Sequence, residues 1–135
     1  MNSRHYCFRL KPHQDVKQSI VDFARGNGIK AGAVISCAGS LAQFNIRFAN
    51  QPDGTLKQGY FEIVSLSGTF NDSSSHIHIS VSDNNGNTIG GHLLDNNLVY
   101  TTAEIVVVDL TDVEFVRETD PTYGYQELVV KKRDK

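Results

Sequence analysis

The tightest constraint on this chain is a turn signal, Asp83-Asn84-Asn85-Gly86-Asn87, set between two apolar runs. Asparagine and glycine tolerate left-handed backbone, so Ser75–Leu94 (SHIHISVSDNNGNTIGGHLL) predicts a β-hairpin. His76 and His78 lie two apart in its first strand, and side chains two apart share a face. Register decides where His92, on the second strand, points. A two-residue turn at Asn85-Gly86 would set His92 opposite Ile79 and aim it away from the pair. A three-residue loop centred on Asn85, with Gly86 left-handed, would set it opposite His78. Cross-strand Cβ atoms lie roughly 4.5–5.5 Å apart, close enough for imidazoles to meet at one ion. Three neutral imidazoles with a fourth position open describe a catalytic-type zinc site. The same spacing also fits a polar, solvated hairpin face. Gly90-Gly91, just before His92, suggests a bulge or a close approach by another group.

The rest of the chain predicts strands around this hairpin. Tyr6, Phe8 and Leu10 alternate with Cys7, Arg9 and Lys11 in a first strand ended by Pro12. Asp15 with Gln18 resembles a capping box, and Val16, Ile20, Phe23 and Ala24 follow at helical spacing until Gly26 and Gly28. Ala31–Ala38 is small and apolar throughout, which predicts a strand covered on both faces and broken by Gly39-Ser40. Phe44, Ile46 and Phe48 form the next strand, and residues 50–58 a loop. Gly59–Phe70 follows, with Phe61 and Ile63 on one face, Tyr60, Glu62 and Val64 on the other, and a bend at Gly68. After the hairpin come a turn at Asp95-Asn96-Asn97, a strand over Val99–Leu110 with Ile105–Val108 buried, and a strand at Val113–Arg117. An irregular Thr119–Gly124 precedes a last strand near Leu128–Val130. Seven or eight strands against one helix predict an α+β fold with a mostly antiparallel sheet.

At 135 residues without a linker or repeat, residues 1–135 form a single domain long enough to bury a core. A net charge of −2 gives no general attraction to phosphate backbones, and the basic tail Lys131-Lys132-Arg133 reads as a solvated end. No apolar stretch reaches the ~18 residues that span a bilayer. The start, MNSRHYCF, lacks the pattern of a signal peptide, so a cytoplasmic location with no membrane partner is expected. Cys7 and Cys37 lie in apolar runs and read as buried free thiols.

Several of these segments resemble the plants-and-prokaryotes conserved (PPC) domain family. They are Gly39-Ser40-Leu41 with Arg47 after it, GYFEIVSLSGTF, HIHISVSDNNGNTIGGHLL, TTAEIVV and the C-terminal YGYQEL, and together they cover nearly the whole chain. The resemblance implies a homotrimer, with the GYFEIV strand helping to build the subunit contact. Tyr60 stands where plant members usually carry arginine. The family is similar in fold to acetolactate decarboxylase, a zinc enzyme with three histidine ligands, two of them in an HxH pair. By position this implies metal on His76, His78 and His92, with zinc first among divalent ions. Plant members carry AT-hooks that bind the DNA minor groove, and prokaryotic members are commonly labelled DNA-binding. The AT-hook core Arg-Gly-Arg-Pro is absent from these residues.

Three function classes stand side by side, the first two being a metal site that binds a small molecule or performs lyase-like chemistry on an oxo- or hydroxy-acid, and a DNA-associated regulator. A trimeric scaffold whose metal only clips a hairpin is the third. For catalysis, Glu104 at the start of a buried strand is the first acid–base candidate; a strand-end hydrogen bond explains it equally. Glu62 is the second, or a subunit-contact residue. Arg47, among Phe44, Ile46 and Phe48, suits a bidentate clamp on a carboxylate, or the solvent face of its strand. Ser40 lacks a nucleophile-elbow pattern. His5 and His13 are expected to be exposed and inert.

Overall fold

A sixteen-residue strand organises the molecule, whose computed structural model describes residues 1–134. In chain order the elements are β1 (Ser3–Leu10), α1 (Val16–Asn27), β2 (Gly32–Arg47), β3 (Thr55–Phe70), β4 (Ser75–Ser82), β5 (Thr88–Leu93), β6 (Leu98–Leu110), β7 (Val113–Thr119) and β8 (Gln126–Lys132). Six strands form one sheet in the order β1-β6-β2-β3-β4-β5, and β7 pairs with β8 in a second. Every pairing is antiparallel. The expected α+β class is the one observed.

Period-two alternation supplies the core. Ile77, Ile79 and Val81 of β4 point inward, as do Ala103, Ile105 and Val107 of β6. On β3 the inward positions pass from Phe61 and Ile63 to Leu66, because the register against β4 shifts between Ile63 and Ser65. Tyr60 and Val64 stay exposed on the other side, as the alternation predicts. The sequence had placed the irregularity at Gly68; there the pairing is regular.

Helix α1 packs on the inner face through Val16, Ile20, Val21 and Ala24. Phe23 is half-buried and stacks on Phe8 with ring centroids 4.0 Å apart. The Asp15 carboxylate accepts from the Gln18 backbone N–H, but the Gln18 side chain donates to Asp22, so only half of the capping box forms. Gly28, at φ 66°, ends the helix in a left-handed cap; Gly26 lies inside it.

Three further expectations are corrected. Gly39-Ser40 does not interrupt β2. A Cβ at Gly39 would lie 2.2 Å from the Thr102 carbonyl oxygen, so this glycine serves the close approach of β6. Register shifts against β6 around Gly39 and Leu41 bend the strand instead of ending it. Ala31–Ala38 is covered on one face only, since α1 covers a single side of the sheet and Ile35 is 52% exposed. Cys7 is exposed on that outer side, and Cys37, opposite Ile105, is half-buried against the core. Among the described residues, no helix is long and apolar enough to cross a membrane.

The bend in β2 has a functional consequence. Its end returns to pair with β5, Ile46 opposite Leu93 and Arg47 opposite His92, which closes β2-β3-β4-β5 into a ring. The seam is tight: a Cβ at Gly91 would meet the Arg47 carbonyl oxygen at 2.5 Å, the close approach expected of Gly90-Gly91. Buried Asn97 holds the seam's end. Its Nδ2 donates to the carbonyls of Asn45 and Leu94, and its Oδ1 accepts from the Asn45 N–H.

Candidate metal centre

The turn chemistry produces the second of the two registers. Ser82 pairs with Thr88, and the Gly86 N–H donates to the Asp83 carbonyl across a β-turn over residues 83–86. Gly86 is left-handed at φ 81°. The Asp83 Oδ1 accepts from the N–H groups of Asn85 and Asn87 at 2.9 Å, which holds its carboxyl below the usual carboxylate range. That register sets His78 directly opposite His92. Since Ile77 and Ile79 fill the core, His76 and His78 project outward on the same side as His92.

The three rings converge. Their centroids are 5.1 Å apart for His76 and His78, 5.6 Å for His76 and His92, and 6.0 Å for His78 and His92. One nitrogen from each lies within 4.8 Å of the others. Zn–N bonds of about 2.1 Å in a tetrahedron need nitrogens about 3.4 Å apart, within reach of small side-chain rotations. Electrostatics suit a cation ligand set as well. Burial, then Arg47, pushes the His92 pKa down to about 4, and burial, then His78, lowers that of His76. Both rings are thereby neutral near pH 7, the form that binds metals.

These histidines stand in the wall of an open cavity of about 1000 Å³. Arg47 joins them, as the pairing of β2 with β5 requires. Glu104 does not. It is exposed on the outer face of β6, accepts from Thr102 Oγ1 at 3.5 Å, and lines a separate shallow cavity with Cys7 and Cys37. Burial, then Glu104, pushes the Cys37 thiol up to about 11. The strand-end hydrogen bond therefore accounts for Glu104, because β6 turns the even-numbered side chains from 100 to 108 away from the ring. Glu62 shares that outer face, opposite Ser40. His5 and His13 are exposed, away from the cavity.

The opposite wall comes from residues that sequence reasoning did not single out: Arg117 on β7, with Tyr125, Gln126 and Glu127 leading into and along β8. Nothing local marks them, because their position depends on how this second sheet docks. The Phe115 N–H donates to the Lys30 carbonyl, and Asn71 Nδ2 donates to the Phe115 carbonyl. Asn71 also caps its own loop, with Oδ1 accepting from the N–H groups of Ser73 and Ser74 just before β4.

The profile of the Plants and Prokaryotes Conserved (PCC) domain matches residues 1–111. The chain belongs to the PCC domain family. The "Bifunctional protein GlmU" from Synechococcus sp. (strain JA-3-3Ab) is 44% identical over 129 residues, covering 96% of this chain and 21% of that protein. The "AT-hook motif nuclear-localized protein 13" of Arabidopsis thaliana is 32% identical over 90 residues, covering 64% of this chain and 20% of that one. The chain thus spans about a fifth of the length of these curated relatives. Among solved structures, a hypothetical protein from Salmonella cholerae-suis superposes with a TM-score of 0.96 at 36% identity, over 98% of this chain and 96% of that one. A protein from Archaeoglobus fulgidus described as metal-containing superposes at 0.78 with 26% identity, over 93% of each chain.

Proposed function

We propose that His76, His78 and His92 hold a divalent metal, zinc by donor type, in a homotrimeric PCC-domain protein that binds or transforms a small molecule. The observation that carries this reading is the convergence of three imidazole nitrogens within 4.8 Å at the wall of an open cavity. The metal-containing description of the Archaeoglobus relative agrees with it. Bound there, zinc supplies a Lewis acid and brings the pKa of a coordinated water to about 7. Arg47, beside His92, orients an anionic group. Glu127, the carboxylate in the opposite wall, is the group in position to hold a proton at the cavity mouth. The trimer reading is supported by the bare outer face of the sheet, where Ile35, Tyr60, Val64 and Tyr100 are exposed and the Tyr60 and Tyr100 rings lie 5.0 Å apart. Sedimentation equilibrium at three times the chain mass is the expected result.

Metal analysis tests the site. Protein purified without an immobilised-metal column is expected to carry roughly one equivalent of zinc per chain, and below about a tenth of an equivalent the reading fails. A DNA-associated role rests on the descriptions of relatives alone: the AT-hook name of the Arabidopsis protein, and the words "putative DNA-binding protein" for structural neighbours from Bacteroides thetaiotaomicron and Ralstonia eutropha. A gel shift at two salt concentrations separates it, since phosphate contacts give a steep salt slope. With a net charge of −2, no complex is expected even at low salt.

A further inference from the structure

Two guanidinium groups enter the histidine cavity from different sheets. Arg47 comes from the end of β2, directly beside His92, and Arg117 from β7 across the opening. Among the described residues, neither forms an ion pair. Both act electrostatically on His76, as does Glu127 with opposite sign. The charges around the cavity are therefore two cations and one carboxylate, before any metal is counted. Three neutral imidazoles would leave a divalent ion's charge uncompensated, so the metal-loaded cavity is strongly positive at its centre. A guanidinium presents a planar fork matched to a carboxylate, and unpaired forks converging on one cavity describe an anion receptor.

The β7–β8 hairpin is attached firmly enough to serve in it. The Phe115 backbone bonds to both Lys30 and Asn71, Lys30 Nζ pairs with Asp72 at 2.7 Å, and the loop so tied leads straight into His76. The family profile ends at residue 111, so this wall is supplied by a part of the chain outside the matched segment.

We propose that the β7–β8 hairpin makes the cavity a receptor for small carboxylates, with Arg117 and Arg47 clamping a carboxylate from opposite walls while the metal side takes a second oxygen of the same molecule. This rests on the metal reading above. Arg117 is on these terms a specificity residue, and the ligand class is a small acid carrying a carboxylate and a further oxygen donor.

Calorimetric titration of the zinc-loaded full chain with malonate, and with neutral malonamide as the isosteric control, tests the proposal. Malonate is expected to bind and malonamide not to. Arg117→Gln and Arg47→Gln are each expected to weaken malonate at least about tenfold, the loss of one charge-assisted hydrogen-bonding partner, with zinc content unchanged. Arg47 and Arg117 lie on separate elements, so misfolding of one variant leaves the other as a test. Unchanged malonate affinity in both variants at full zinc content, or equal binding of malonamide, overturns the receptor and leaves the metal site standing. Malonate bound by a chain that takes up no zinc, and weakened by the arginine changes, overturns the metal site and keeps the anion clamp. Failure to bind either zinc or malonate overturns both.

Discussion

The two hairpins that face each other across the cavity differ in what holds them. The β4–β5 hairpin is shaped from within: Asp83 and Gly86 determine its turn, and one row of isoleucine and valine buries its inner side. The β7–β8 hairpin has few side chains in the core, and Tyr123, Tyr125, Leu128 and Val130 are exposed. It is located from without, by the bonds of Phe115 to Lys30 and Asn71. Local turn chemistry can build a ligand cluster alone, whereas the wall that gives such a cluster a cavity depends on docking between distant segments.

The strongest way to break this contrast is to remove a ligand from the self-shaped hairpin. His92→Ala is expected to lower zinc content from roughly one equivalent to below about a tenth, read by elemental analysis, while Arg117→Gln leaves it intact. If both variants lose metal equally, the hairpins are not separate in function. Next in size is the seam that sets Arg47 beside His92. Asn97→Ala leaves the part-buried Asn45 N–H and Leu94 carbonyl without these partners, while the Asn45 carbonyl keeps the Leu94 N–H, and is expected to cost about 2–4 kcal/mol in denaturant unfolding. A cost under about 1 kcal/mol would show that water replaces the amide.

Gly86→Ala probes the turn itself. Nothing lies within 4 Å of the added methyl, so only the left-handed φ opposes it, and a loss of about 1 kcal/mol is expected. Acid probes the imidazoles. His92, with its folded pKa near 4, takes up protons more readily when unfolded, where an ordinary histidine titrates near 6.5. The metal-free protein should therefore hold its full stability above about pH 6.5 and lose part of it progressively down to about pH 4. The loss should shrink in His92→Ala; an unchanged pH profile would remove His92 as its source. Least of all, Glu104→Gln is expected to leave zinc content and malonate affinity alone, as its position on the outer face requires.

Much of this was legible in the residues. Alternation in Tyr60–Val64 predicts which side chains enter the core, and the turn signal at 83–87 leaves two registers, one of which pairs His78 with His92. Glu104 kept two readings, acid–base group or strand-end hydrogen bond, because its local pattern, a carboxylate opening a buried strand, holds no information on which face of the sheet it joins. Arg117 and Glu127 fell in a predicted strand and in the YGYQEL segment of the family resemblance, but nothing there marked them as cavity residues, since a hairpin with little buried surface reads as an isolated ribbon.

The hairpin, its turn signal and the pairing of His76 with His78 on one face belong to the sequence alone, because turn geometry and period-two burial act over a few residues; which of two registers forms, and so whether His92 joins them, is decided by the folded hairpin. The return of β2 to β5, the half-bare sheet, and the arrival of β7–β8 over the histidines belong to the tertiary structure. Each depends on contacts between residues far apart in the chain, such as Asn45 with Asn97 and Asn71 with Phe115, whose bonding partners become determined only when the sheet has bent.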